Sequence, residues 1–175
     1  AGYPKGFEVD FWIPDSGSGM QKPSEMSTAI QSYLAMVGIK ADIQTFEWGT
    51  FLEKITVEDP EKVAPLHILS WIMDNGDPDN ILYVLFSSEA WPQAGYNTGF
   101  YKNEEFDKLV KEARMETDRE ERKQLYQEAQ KIVAEDSPWV WVDHAYEVFI
   151  SDAGVENLEF QPAQARLIFK DVVLN

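Results

Sequence analysis

The densest chemistry in the chain is the run Asp74-Asn75-Gly76-Asp77-Pro78-Asp79-Asn80. Carboxylates packed this closely hold a cation, cap a helix or meet a cationic ligand. A calcium loop of the EF-hand type needs oxygen donors at alternate positions and a Glu at the twelfth. Counted from Asp74 the twelfth residue is Leu85, and from Asp77 it is Ser88, so the spacing excludes that loop. Capping accounts for part of the run. Asp77 suits an N-cap, Pro78 the first helical position, and Asp79 the positive end of the helix dipole. Asp74 stands before the cap and directly after an apolar stretch, and the turn does not need its charge. It is either a plain surface carboxylate or a ligand partner. Trp71, three residues earlier, is either a core residue or an aromatic platform beside that carboxylate.

Other constellations are weaker. His67 lies within an apolar run and reads as a satisfied core residue. His144 follows Asp143, and a His–Asp pair can orient a catalytic base. No Ser occupies a G-x-S-x-G elbow, however, and H-E-x-x-H, P-loop and G-x-G-x-x-G patterns are absent. A hydrolase built on Asp74 with Asp77 or His144 is therefore the least supported functional reading. The chain has no Cys, which excludes disulfides and thiolate metal centres. No metal, no cofactor and no enzymatic activity are expected.

The formal net charge is -16, from 31 acidic against 15 basic residues. No Lys/Arg cluster escapes neighbouring acids, so the basic footprint of a nucleic-acid binder is missing and an anionic membrane surface is disfavoured. No apolar run approaches the ~18 residues of a membrane span. Aromatic residues reach 13%, with 6 Trp, which favours a ligand cleft mildly. The chain opens Ala1-Gly2-Tyr3-Pro4 without a Met, so its start reads as a boundary within a longer protein, and the missing signal segment says nothing about export.

The elements that must position these residues follow from periodicity. Phe7 to Ile13 alternates as a strand, with Phe7, Val9, Phe11 and Ile13 on one side. Met26, Ile30, Tyr33, Leu34 and Val37 recur at helical spacing, with Gly38 as the C-terminal cap. Ile39 to Phe46 is a second strand, and Thr50 to Glu53 has capping-box spacing for a short helix. Leu66 to Ile72 is nearly continuous in apolar residues and reads as a strand buried on both faces, the most buried of the three. The Asp74–Asn80 run would then sit at its carboxyl end, where open α/β sheets place ligands. A helix should run through Ile81, Leu82 and Leu85. Asn103 caps a helix with Phe106, Leu109, Val110 and Ala113 inward. Asp118 caps another with Leu125, Ala129, Ile132 and Val133 inward. Trp139–Val142 and Tyr146–Ile150 read as strands, with Trp139 and Trp141 in the core. Short strand signals recur at Leu158–Phe160 and Leu167–Phe169. The fold class expected is α/β, a mostly parallel sheet flanked by helices.

Several stretches together carry a resemblance. They are Gly6-Phe7-Glu8-Val9, Met36-Val37-Gly38-Ile39-Lys40, Phe46-Glu47-Trp48-Gly49, Trp71 through Asn80, Phe106-Asp107-Lys108-Leu109, and Arg122 through Gln130. In order and spacing they resemble the family 5 extracellular solute-binding proteins, especially the dipeptide-binding type. The match covers nearly the whole chain, and W-x-x-D-N-G-D-P-D-N is its most specific part. The resemblance implies a lobe of the type II periplasmic-binding-protein fold. Residues 1–150 would form the carboxyl-terminal ligand-binding lobe, and residues 151–175 a terminal segment that in relatives crosses back to the other lobe.

It also implies a function: extracytoplasmic capture of di- or oligopeptides for an ABC importer. The partners implied are a peptide or other small solute, the missing amino-terminal lobe and an ABC permease. Contact with a membrane would come only through that permease or a lipid anchor, and no nucleic acid is involved. Asp74 matches the position that meets the peptide ammonium, Trp71 the wall of a side-chain pocket, and Asn75 and Gly76 complete the ligand-facing turn. Relatives often hold the peptide carboxylate with an Arg before the first helix. Here that loop reads Met20-Gln21-Lys22-Pro23-Ser24-Glu25. Lys22 is the cation available, a point charge without the bidentate fork. A cysteine pair of many relatives is also absent, with Ser88 at one of its positions. These departures leave open an oligosaccharide or another small solute as the ligand.

Overall fold

The computed structural model describes residues 2–17, 20–146, 148–161 and 166–174. Its sheet has three parallel strands in the order β2-β1-β3: β1 Phe7–Pro14, β2 Ile39–Phe46 and β3 Leu66–His67. β1 and β2 pair along their full length, from Phe7 opposite Ile39 to Pro14 opposite Phe46. This register is set where the chain enters the sheet. Gly38, with φ 83°, ends the intervening helix, and its carbonyl accepts a bond from Phe7 N at 3.1 Å. Gly6 packs against it so closely that a Cβ there would lie 1.9 Å from the Gly38 oxygen. Only glycine fits that approach.

Alternation along β1 gives the sheet two different faces. Phe11, Ile13, Ala41 and Ile68 pack with Met26, Ile30 and Leu34 of α1 (Pro23–Met36). On the other face Trp12 meets Phe51 and Ile55 of α2 (Trp48–Ile55), together with Phe46 and Ala64. Phe51 and Ile55 are fully buried, each contributing about 1.5–3 kcal/mol of apolar transfer.

A second core is entirely helical. It joins Leu82, Leu85 and Phe86 of α3 (Asp79–Phe86), Phe106, Val110 and Ala113 of α4 (Glu104–Met115), and Tyr126, Ala129 and Val133 of α5 (Arg119–Asp136). The α4 and α5 caps form as their sequences dictate. Asn103 Oδ1 accepts from Glu105 N and Phe106 N, and Asp118 Oδ1 from Glu120 N and Glu121 N. The loop from α3 to α4 is fixed by buried Asn97, which bonds Ser87 O and the Tyr101 backbone, and by buried Asp107, which accepts from Ser87 and Ser88. Among the described residues no helix is long and apolar enough to cross a membrane.

The structure corrects the sequence reading in several places. The Leu66–Ile72 run is not a long buried strand. Only Leu66 and His67 lie in the ladder, β3 is an edge strand, and β1 is the buried central one. One neighbour satisfies only one side of β3, and beyond the Ile68 N to Trp12 O bond the chain leaves the ladder. Tyr33 and Val37 do not face the core: α1 turns them outward, to 71% and 72% exposure. The α2 cap is Glu47, whose carboxylate accepts from Thr50 N, rather than Thr50 itself. Trp139–Val142 forms no strand, and neither do the described residues of Tyr146–Ile150, of which residue 147 lies outside the described residues. Trp139 packs against the helical core, whereas Trp141 reaches the Phe86 ring but stays largely exposed. Beyond them, β4 (Val155–Glu156) pairs with β7 (Val173–Leu174) and β5 (Glu159–Gln161) with β6 (Arg166–Ile168), as two short antiparallel ladders.

Candidate ligand-binding site

Because the three strands are parallel, the loops after β1, β2 and β3 all leave the sheet at one edge. Lys22 stands in the loop after β1, Trp48 begins the helix after β2, and Trp71 through Asn80 follow β3. A Cβ on Gly17 would strike the Trp48 ring, so the first two of these loops touch. Lys22 is exposed and has φ 52°, in the left-handed region. It sits immediately before Pro23, the first residue of α1, which disfavours a helical conformation for the residue preceding it. Its carbonyl accepts from Met26 N, while its side chain makes no cap.

The loop from Trp71 to Asn80 is built by its own polar atoms. Asn75 Oδ1 accepts from Asp77 N at 2.9 Å, and Gly76 at φ 71° turns the chain. Asp77 Oδ1 accepts from Asp79 N at 2.9 Å and so caps α3, as its sequence position requires. The same oxygen receives Arg122 Nη2 at 2.9 Å. Asp79 Oδ1 receives Arg114 Nε at 3.2 Å and the Tyr126 hydroxyl at 3.3 Å. Arg122 also donates to Ala113 O and to the Tyr126 hydroxyl. Arg114 lies over the Tyr83 ring, 3.8 Å from its centroid. Two acids of the loop are thus clasped by α4 and α5. The Arg122 guanidinium holds the Asp77 carboxyl below its ordinary pKa. Burial, with the Asp79 charge beside it, pushes the Tyr126 phenol up to about 12.

Asp74, Asn75 and Gly76 are exposed. Trp71 is half-buried: its ring packs toward the helical core and lies 5.3 Å from that of exposed Tyr96. The indole Nε1–H donates to Asn80 Oδ1 at 3.3 Å, and Asp74 N donates to the same oxygen at 3.2 Å. The structure therefore brings Trp71 and Asp74 together through Asn80, a residue that sequence reasoning left as part of the turn. Tyr96, Arg114 and Tyr126 were missed for the same reason. Each acts across the fold, and no local spacing announces it.

His67 is largely buried, with Nε2 2.9 Å from Thr98 Oγ1. Burial lowers its pKa, against a smaller opposing pull from the Ala64 backbone. Its inward placement agrees with its sequence context, but the expected satisfaction is met at Nε2 only, since the buried Nδ1 has no well-formed hydrogen bond. His144 is exposed, in irregular chain. Among the described residues no three His, Asp or Glu side chains gather as a metal site.

No family model matches the chain. Over 146 residues it is 39% identical to Heme-binding protein A of Haemophilus influenzae, covering 83% of this chain and 26% of that protein. Di/tripeptide-binding protein 2 of Pseudomonas aeruginosa is 31% identical over 166 residues, which are 95% of this chain and 30% of that one. The crystal structure of a dipeptide binding protein from Pseudoalteromonas sp. SM9913 in complex with Met-Leu superposes with a TM-score of 0.74 at 28% identity. That match covers all of this chain and 34% of the other. The chain is homologous to the family 5 extracellular solute-binding proteins. It spans about 30% of the length of the relatives it matches. The parallel sheet with α1 and α2 on its two faces is a type II periplasmic-binding-protein lobe, as the resemblance of its motifs implied. The relatives named here are binding proteins.

Proposed function

We propose that this chain is the carboxyl-terminal lobe of an extracytoplasmic solute-binding protein that captures peptides for an ABC importer and has no catalytic role. The observation that carries this reading is the division of labour in the Trp71–Asn80 loop. Asp77 and Asp79 are held by Arg122, Arg114 and Tyr126, while Asp74, exposed in the loop that follows β3, shares the Asn80 oxygen with Trp71. A peptide ammonium is costly to desolvate unless a carboxylate meets it. Asp74 supplies that carboxylate, Trp71 the apolar wall beside it, and Asn75 and Gly76 the turn that presents both. Lys22, exposed on the loop after β1, would meet the peptide carboxylate. Residues 1–150 make up the lobe, and residues 151–175 return toward the missing amino-terminal lobe. The permease and any lipid anchor belong to the intact protein.

In the intact protein Asp74→Ala should weaken binding of an unblocked peptide by about two to three orders of magnitude, because the ammonium is left buried without its partner. Acetylating the peptide's amino end should cost the unsubstituted protein as much and the variant far less, since both changes remove one interaction. Calorimetric titration of the four combinations is the test, and additive losses would show that Asp74 and the ammonium do not meet.

A second reading has its own support. The relative at 39% identity carries the name of a heme-binding protein, and Trp71 and Tyr96, their rings tilted by 56°, are aromatic side chains that could contact a macrocycle. Titrating the intact protein with hemin and following the Soret band separates the two, because a peptide binder leaves that band as in buffer.

A further inference from the structure

We propose that Asn80 is the positioning residue of the ligand face, its single side-chain oxygen fixing the spacing between the Trp71 ring and Asp74. The proposal rests on the reading of those two residues as ligand-facing and adds to it the group that holds them. A carboxamide oxygen has two lone pairs and accepts two bonds. Here one goes to Trp71 Nε1 at 3.3 Å and the other to Asp74 N at 3.2 Å, residues nine and six positions earlier in the chain. Both candidate ligand groups are therefore referenced to one atom.

That atom stands on a rigid support. Asn80 lies in the first turn of α3, whose Leu82, Leu85 and Phe86 are buried in the helical core. The residue just before it, Asp79, is held by Arg114 of α4 and Tyr126 of α5. Asp77, one turn earlier, is held by Arg122. The path runs from the packed helices through the arginines to the start of α3, and through Asn80 to the exposed Asp74. A loop of exposed residues sampling many conformers would lose part of its binding free energy to ordering, and such a support removes that cost in advance. The Trp71 indole N–H is also spoken for. Trp71 is thus set to offer a ring face or edge rather than a hydrogen-bond donor, which suits an apolar side chain next to the carboxylate.

The test uses the intact two-lobed protein and the dipeptide Met-Leu. Asn80→Leu keeps the volume and removes the acceptor, while Asn80→Asp keeps an oxygen in place. The expected result is about a tenfold loss of Met-Leu affinity in Asn80→Leu, the scale of one to two neutral hydrogen bonds, with most of it recovered in Asn80→Asp. Hydrogen exchange at the Trp71 indole N–H, read by NMR with labelled tryptophan, should quicken in Asn80→Leu and return in Asn80→Asp. A merely structural residue would not move that signal together with the affinity. In an Asp74→Asn background the Asn80→Leu loss should shrink. Faster indole exchange with unchanged affinity overturns the proposal, as does a loss that persists in full beside Asp74→Asn. If Asp74→Asn weakens binding and Asn80→Leu does not, the positioning role fails and the ligand reading stands. If neither substitution changes binding, or the unsubstituted protein takes up no Met-Leu, the peptide reading has failed and the positioning role with it.

Discussion

The loop at residues 71–78, with the start of α3 that follows it, and the stretches at residues 140–146 and 148–150 depart from the helical core, and their side chains meet opposite fates. In the loop, charged and polar groups are engaged by residues from three helices: Arg114, Arg122, Tyr126 and Asn80. In the later stretch, apolar side chains stand in solvent, with Val140 88%, Tyr146 90% and Ile150 93% exposed. The clasps hold Asp77, which bonds the first residue of α3, and Asp79, that first residue, and so tie the loop to the helical core. A run of Val, Trp, Tyr and Ile should not remain bare on a soluble surface, so its exposure points to a covering surface that this chain does not supply. The loop's polar groups are held from within the chain and the later stretch's apolar groups stay exposed, in a chain that spans about 30% of its relatives' length.

The largest effect separating the two regions is expected in the core that supports the loop. Phe106 is fully buried among Phe86, Tyr101 and the residues of α5. Phe106→Ala should destabilise the chain by about 3–5 kcal/mol, the usual cost of such a cavity. Denaturant unfolding followed by circular dichroism measures it. A loss below about 1 kcal/mol would mean that the three helices do not share one packed core and cannot brace the loop.

The clasp itself should matter less. Asp77→Ala removes both the α3 cap and the partner of Arg122. The cap contributes about 1 kcal/mol. The ion pair adds no more than about 1, because both groups remain partly exposed and solvent screens them. Arg122→Met spares the cap but deletes the pair together with the bonds to Ala113 O and the Tyr126 hydroxyl. The pH dependence has a definite sign. Arg122 depresses the folded-state pKa of Asp77, so the stabilisation is complete above the unfolded value of about 3.9. It is lost as pH falls through the lower folded value. Stability curves of the unsubstituted chain and Asp77→Ala should therefore converge below about pH 4. Curves that stay parallel there would show that the carboxylate charge plays no part.

What the sequence made legible follows the same division between local and distant causes. The strand over Phe7–Ile13 and the caps at Asn103 and Asp118 came out as read, because a pleat or a cap is decided within a few residues, whereas the single core face did not: Phe7 is exposed and Trp12 is buried on the opposite face. The Asp77 cap was legible in the same way. Leu66–Ile72 was not, since an apolar run does not reveal how many strands will lie beside it, and here one neighbour holds only two residues in the ladder. Trp139–Val142 and the described residues of Tyr146–Ile150 form no strand: alternation is a capacity to pair, and pairing needs a partner. Of the site, Asp74 and Trp71 stood out by their place after β3. Asn80 did not, because an Asn in a polar turn looks the same whether its oxygen meets water or two protein N–H groups. Arg122 reaches Asp77 across 45 positions, which no local pattern encodes.

The smallest effect is expected at Ile150, and it is the one that sharpens the contrast most. In the isolated chain Ile150 is 93% exposed, so Ile150→Ser should change stability by less than about 0.5 kcal/mol, as surface substitutions do. In the intact protein the expectation differs. If residues 140–150 lie against the missing lobe, the same substitution removes buried apolar surface and should cost about 1–3 kcal/mol. Paired unfolding experiments on the isolated chain and the intact protein measure this difference directly. Tyr146→Ser serves as a second reporter along the same stretch, since its side chain is exposed to a similar degree. Near-zero values for both substitutions in both settings would mean that the apolar stretch stays bare in the intact protein and the contrast with the loop is accidental. A large cost already present in the isolated chain would mean that this stretch packs on its own lobe, and the contrast with the loop would have to be abandoned.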